Sequence, residues 1–306
     1  DTIARENGVG CIGDLLVGFK YIGARMNQLE ADGRQGDFIM GTEESHGYIM
    51  GNYARDKDAA GAAVWLAEVA SQLKAQGRTL VDYLNDVYAK YGYCHNYLTE
   101  IRLLGAKGIG QIASIMSHLR ENAIDRIGEF AVTEKIDRWQ GDPQPHLSRT
   151  DTASRNVLIL MLKPLQGTRG IRLTVRPSGT EPKFKIYIEV LGQPFDPSTI
   201  DAVKSSLVAI REQLERAFMG YCYQILGVDF PERGFLLFWQ LPLSDKLKYF
   251  TIEDQLAALK NVADAGERKQ KMKKLLAFLG ANPVQKVDGA FAARFGQGIV
   301  DFLELV

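Results

Sequence analysis

From Asp58 to Gln76 the apolar side chains Ala62, Trp65, Leu66, Val69 and Leu73 recur at helical spacing, and Gly77 follows as a stop. That spacing predicts an amphipathic helix with one buried stripe. A second helix is predicted from Thr79, where Thr79 and Asp82 have the spacing of a reciprocal N-terminal cap, through Leu80, Leu84, Val87 and Tyr91 to Gly92. A third is predicted over Ile109 to Arg120. Short apolar runs and glycine turns lie between and before them, so residues 1–105 have the texture of an α/β domain.

After the polar, proline-bearing stretch QGDPQPHLSRTDTASRN, which reads as a loop or insertion, the period changes. NVLILMLKPL and GIRLTV are followed by KFKIYIEVL, in which Phe184, Ile186, Ile188 and Val190 alternate with Lys183, Lys185, Tyr187 and Glu189. Strict alternation predicts half-buried strands. A helix from Ser198 to about Met219 follows, with Ile200, Val203, Leu207, Ile210, Leu214 and Phe218 as its stripe. Residues 106–220 therefore read as an α+β domain with an antiparallel sheet. Residues 221–306 read as a mostly helical extension, with a helix start expected at Thr251 and Asp254 and a buried strand or packing edge at GFLLFW. No internal repeat is visible.

Composition narrows the function classes. The chain has 306 residues, 46% hydrophobic and 24% charged, enough for roughly two domains that fold without staples. Lys plus Arg and Asp plus Glu both total 37, so no global field favours nucleic acid or an anionic membrane. No apolar run approaches the length of a membrane span. Cys11, Cys94 and Cys222 are odd in number and far apart, which fits small core residues in a reducing cytoplasm. His46, His95, His118 and His146 show no metal-ligand spacing. The chain opens on DTIAREN, without an initiator Met and in helical register, so we expect it to be part of something longer.

Two polar loops carry candidate chemistry. RPSGTEPKFK, residues 176–185, sets Arg176, Ser178, Gly179 and Thr180 in a turn of about seven residues between two predicted strands. Converging backbone N–H groups, hydroxyls and a guanidinium fork suit a phosphate. GTEESHGYIMG, residues 41–51, places Glu43, Glu44, Ser45 and His46 between glycines, with Arg55 and Lys57 close behind. Carboxylates and a hydroxyl bind sugar hydroxyls, and cations meet a phosphate.

Taken in chain order, VGFKYIG (17–23), GTEESHG (41–47), RDKD (55–58) and RPSGTEP (176–182) resemble motifs of the α-D-phosphohexomutase superfamily, which includes phosphoglucomutase and phosphomannomutase. The resemblance covers roughly residues 1–220, as the family's third domain (α/β, mixed sheet) and fourth domain. It implies a C-terminal part of an isomerase that interconverts hexose 1-phosphate and 6-phosphate through a glucose 1,6-bisphosphate-type intermediate. Carried over residue by residue, Glu43 and Ser45 hold sugar hydroxyls and Lys57 approaches substrate. Arg176, Ser178, Gly179 and Thr180 surround the phosphate that is not reacting. The resemblance also implies Mg²⁺ in the full-length enzyme, and missing N-terminal domains as partners.

The family's phosphorylated serine loop and Asp-rich metal loop have no match in this sequence, so no residue here is assigned a catalytic or metal role. The chain alone is expected to be inactive, and the opening strand of its third domain is expected to be lost. Val17 stands where many relatives have threonine. A non-catalytic phosphosugar-binding or regulatory fragment is the alternative. GVGCIG (8–13), with Glu30 and Asp32 about 20 residues on, mimics a dinucleotide fingerprint but is preceded by helix-like residues instead of a strand. RKQKMKK (268–274) reads as the solvated face of a helix.

Overall fold

The computed structural model describes residues 2–43, 46–141, 147, 149, 151–179 and 181–305, without the side chains of 140 and 141. Ser45, His146 and Thr180 lie outside the described residues. The first lobe comprises α1 (Thr2–Glu6), α2 (Lys20–Ala31), β1 (Met40–Glu43), β2 (Gly47–Met50), α3 (Ala59–Ala75) and α4 (Leu80–Tyr91). The second comprises β3 (Cys94–Arg102), α5 (Gly105–Glu121), β4 (Arg126–Ile127), β5 (Phe130–Asp137), α6 (Arg138–Gly141), α7 (Asp151–Ser154), β6 (Leu158–Leu162), β7 (Thr168–Pro177), β8 (Lys183–Gly192) and α8 (Ile200–Ile225). The third is helical: α9 (Leu243–Ala258), α10 (Ala265–Leu276), α11 (Pro283–Phe295) and α12 (Ile299–Phe302).

Among the described residues the second lobe holds the largest buried cluster. Its six strands run in the order β3-β8-β7-β6-β5-β4, every pairing antiparallel. Strand β3, which precedes residue 105, is hydrogen-bonded into this sheet along β8. The alternation read from the sequence sends Leu173, Val175, Phe184, Ile186, Ile188 and Val190 into a core with α5 and α8. The opposite face carries Arg172, Thr174, Arg176, Lys183, Lys185 and Tyr187. Helix α5 begins four residues before the predicted Ile109. Helix α8 continues beyond Met219 because Cys222 and Tyr223 are also buried.

The first lobe departs from expectation. Helices α3 and α4 form where the pattern places them, with Asp58 capping α3 and Thr79 and Asp82 making the reciprocal cap of α4. The apolar stripe of α3 is not buried, however: Trp65 is 49% and Leu66 56% exposed, and only Leu73 is buried. Val81, Tyr83 and Leu84 of α4 are exposed as well. The physical reason is the lack of a facing layer among the described residues. The β1–β2 hairpin has strands of four residues, and the lobe's buried cluster is Phe19, Ile22, Met26 and Ile49.

One sequence expectation fails in the third lobe, and another is decided between its two alternatives. GFLLFW is a packing edge and not a strand: a 3-10 turn covers Glu232–Leu236, Phe235 and Leu237 pack on buried clusters, and Phe238 and Trp239 are exposed. Thr251 starts no helix; its hydroxyl donates to the Lys248 carbonyl (2.7 Å) inside α9, which begins after Pro242. Buried Leu243, Tyr249 and Leu256 keep one face in the core across that position. Around them lies a fully buried carboxylate, Glu253, which accepts from Arg233 (2.6 Å), Arg294 (2.6 Å) and the Tyr249 hydroxyl (3.0 Å). Burial works to raise the Glu253 carboxyl, but these three donors outweigh it and hold it below the usual carboxylate range.

Candidate substrate-binding site

Glu43 ends β1, opposite Gly47 in the hairpin register, and Lys57 sits in the loop that leads into α3. A backbone bond from Asp58 N–H to the Tyr48 carbonyl (2.7 Å) fastens that loop to β2. Lys57 Nζ then stands 3.7 Å from Glu43 Oε1 and 3.2 Å from Asp56 Oδ1, with the Phe19 ring 5.3 Å away. Its ammonium is held above the usual lysine range, chiefly by the Asp56 carboxylate and further by Glu43. Gly47 is what lets the pair form, because a Cβ there would lie 2.7 Å from both Glu43 Cγ and Lys57 Cδ. His46, beside it, adopts a left-handed backbone at φ 61°.

Lys57 lines an open cleft of about 460 Å³ together with Val17, Gly18, Phe19, Lys20, Arg55, Asp56 and Ser154. That is within the size range of small-molecule sites. Three cations against one carboxylate give the lining an excess of positive charge. Arg55 is fixed from behind, donating to Asn27 Oδ1 (2.7 Å) and the Asn52 carbonyl (2.8 Å) and pairing with Glu30.

Arg176 lies near the end of β7 and turns back onto β8, where it donates to the Tyr187 hydroxyl from Nε (3.3 Å) and an Nη (3.0 Å). Two of its five N–H donors are thus committed to fixing the guanidinium. The turn is closed by Ser178 N–H donating to the Lys183 carbonyl at 2.8 Å. A Cβ on Gly179 would meet no atom of the described residues within 4 Å, so their packing does not require glycine there.

The register adds what the motif alone does not reveal. Lys185 is the cross-strand neighbour of both Arg176 and Glu100, and Arg102 pairs with Lys183. Glu100 accepts from Arg102 (2.5 Å) and lies 3.3 Å from Lys183, which also meets Glu181 at 2.7 Å. Arg102, Lys183, Lys185 and Arg176 therefore face two carboxylates, Glu100 and Glu181. Like charges on neighbouring strands are unfavourable without a counter-ion, and the surplus of two positive charges matches a phosphate.

The structure thus joins Glu43 with Lys57, and sets Arg176, Ser178 and Gly179 on one turn of a different lobe. Ser45 and Thr180 fall outside the described residues. Sequence reasoning missed Lys20, Ser154, Arg102, Lys183 and Lys185 as lining or charge-balancing groups, whereas Arg55 was already a candidate cation beside Lys57. Period-two alternation puts Lys183 and Lys185 on the Arg176 face and was the available signal, whereas Ser154 has no local signature. GVGCIG follows the five-residue helix α1, not a strand, which removes the structural context of a dinucleotide site. Among the described residues, no group of three or more His, Cys, Asp or Glu is placed to share a metal ion, and no helix is long and apolar enough to cross a membrane.

Residues 1–91 match the family described as phosphoglucomutase/phosphomannomutase, alpha/beta/alpha domain III. Phosphoglucomutase from Staphylococcus aureus strain N315 is 33% identical over 195 residues, covering 64% of this chain and 34% of that protein. The strain USA300 phosphoglucomutase is 32% identical over 195 residues, with the same coverage. The chain spans about one third of the length of these relatives, 34%. A solved structure of the Paramecium exocytosis-sensitive phosphoprotein pp63/parafusin, a phosphoglucomutase in its open form, is also similar. It aligns at 15% identity and a TM-score of 0.44 over 75% of this chain and 37% of that one. On the domain III match and the sequence relatives, joined to four motifs in order, the chain is similar to the C-terminal portion of phosphohexomutase-superfamily proteins.

Proposed function

We propose that this chain is the sugar- and phosphate-binding part of a phosphoglucomutase or phosphomannomutase that interconverts hexose 1-phosphate and 6-phosphate. The observation that carries this reading is the cation surplus around the β7–β8 turn, where Arg176 is pre-oriented beside Lys185 and Gly179 leaves its surroundings open. Arg176, Ser178, Gly179 and Thr180 hold the phosphate that is not reacting. Glu43, Ser45 and Lys57 hold the sugar hydroxyls, with the cationic cleft beside them. A mutase must accept a bisphosphate in two orientations, so one phosphate clamp and one hydroxyl clamp have to serve both poses. Phosphoryl transfer asks the protein chiefly for such positioning and charge neutralisation.

On this reading the first lobe is the sugar-binding domain, the second the phosphate-binding domain, and the third an appended helical unit. The work is cytoplasmic and involves neither membrane nor nucleic acid. The Mg²⁺ implied by the family does not fit the residues described here, among which no three carboxylate, imidazole or thiol groups are placed to share an ion. The exposed stripes of α3 and α4 support a further requirement. Trp65, Leu66, Val69, Val81 and Leu84 form an apolar surface that additional polypeptide, the N-terminal domains of the complete enzyme, covers.

Calorimetric titration with glucose 1,6-bisphosphate tests the binding role. The chain is expected to bind the bisphosphate and to ignore glucose, and absence of binding would overturn the proposal. In parallel, turnover of glucose 1-phosphate by the isolated chain is expected to be nil. Turnover with contaminating enzyme excluded would remove the claim that further domains are needed.

A further inference from the structure

The polar stretch between β5 and β6, which carries no motif, ends in the helical turn α7, and that turn is not a surface insertion. Asp151 is fully buried, accepts from the Lys20 ammonium of α2, and also accepts from the Leu147 N–H of its own segment. Tyr21 (2% exposed) and Arg155 (8%) are buried around it. The Tyr21 hydroxyl is pushed up to about 12, first by burial and then by Asp151. The joint between the first and second lobes is therefore an ion pair between a partly exposed ammonium at the cleft and a buried carboxylate, and a carboxylate buried this deeply is costly unless its cation is in place. A second tie, Arg172 to Asp14 at 2.8 Å, crosses between the same lobes nearby.

Two placements give this joint a role beyond packing. Ser154, on α7, lines the first lobe's cationic cleft together with Lys20, Arg55 and Lys57. Four residues after Ser154 the chain enters β6, and its first residue, Leu158, pairs with Val175, the residue before Arg176. The segment 151–157 thus runs from the sugar-side cleft to the sheet end that carries the phosphate turn, and it is pinned at Asp151 to the helix whose first residue is Lys20.

We propose that Ser154 is a substrate-contacting residue supplied by the second lobe to the first lobe's cleft, and that Asp151 is a positioning residue whose bond to Lys20 holds the two clamps in register. The ligand class is a phosphorylated sugar long enough to reach from the Lys57 cleft toward Arg176, so the inference rests on the proposed function. Ser154 contributes a hydroxyl hydrogen bond to the sugar or its phosphate. Asp151 touches no ligand; it fixes Lys20 and, through residues 152–157, the start of β6.

The test uses the full chain titrated with glucose 1,6-bisphosphate. Ser154→Ala is expected to weaken binding about 3- to 10-fold, the loss of one hydrogen bond. Asp151→Asn is expected to weaken it more, and the charge exchange Lys20→Asp with Asp151→Lys to recover part of that loss, which a cleft contact alone would not do. Wild-type affinity in Ser154→Ala, or no recovery in the exchanged pair when it folds, would overturn the inference. If the wild type itself does not bind, the proposed function fails separately, and amide exchange decides the joint. Asp151→Asn must then speed exchange across residues 20–26 and the exchanged pair must slow it again; equal rates in all three proteins would sink the joint.

Discussion

Arg176→Ala is the sharpest perturbation of the proposed phosphate clamp. It removes one of four cations set against two carboxylates, halving the positive surplus that the turn presents. The lost interaction with a phosphate is a charge-assisted hydrogen bond, about 1.5–3 kcal/mol, so the Kd for glucose 1,6-bisphosphate should rise roughly 10- to 150-fold. The same substitution deletes the two bonds to Tyr187 and the packing of the guanidinium on its ring (5.7 Å), which are folding interactions. Tyr187→Phe separates the two effects. It loses those bonds but keeps the cation, and should lower the melting temperature while changing Kd by less than about threefold. Calorimetry at two ionic strengths completes the assay, because the Arg176-dependent part of the affinity should shrink with added salt. An Arg176→Ala protein that stays folded and binds within threefold of wild type would refute the reasoning.

Other outcomes follow from single environments. Gly179→Ala places a methyl where no atom of the described residues lies within 4 Å, so its melting temperature should be unchanged while bisphosphate affinity falls; equal affinity would mean that no ligand approaches that backbone. Glu253 has its folded-state carboxyl held low, so it stabilises the protein above the unfolded carboxylate value near ~4.3 and loses that contribution as pH falls through the lower folded value. Glu253→Gln should cost about 3–5 kcal/mol at pH 7 and flatten the acid limb of denaturation, and an unchanged acid limb would contradict this. Lys246 is 5% exposed, and burial drives its ammonium down to about 8, against the pull of Glu215. Unfolded chains hold that proton up to about 10.4, so wild-type stability should rise between pH 8 and 10. Lys246→Met should gain on the order of 2 kcal/mol at pH 7 and show no such rise in chemical denaturation.

What the sequence reveals depends on whether burial is supplied locally. The β7 and β8 alternation and the α8 stripe were legible because the core they face is built by neighbouring elements of the same lobe. The α3 stripe was equally legible as a pattern, but a pattern specifies which face seeks burial and not what supplies it, and none of the described residues covers Trp65 and Leu66. Thr251 shows the converse failure, since a local capping signal lost to the burial of Leu243, Tyr249 and Leu256 along a longer helix. The site divides in the same way. Glu43, Lys57 and Arg176 stand in contiguous motifs, whereas Ser154 lines the cleft beside Asp151, whose ion pair is with Lys20, more than a hundred residues away. Nothing in their own neighbourhood announces that contact.

The central claim is that the two clamps bind opposite parts of one ligand. A crystal structure of the chain with glucose 1,6-bisphosphate tests it most directly. The account predicts one phosphate at Arg176, Ser178 and Lys185 and the hexose hydroxyls at Glu43, in a single bound molecule. A bisphosphate seated away from the β7–β8 turn, or one touching the turn with its sugar directed away from Glu43, would contradict it.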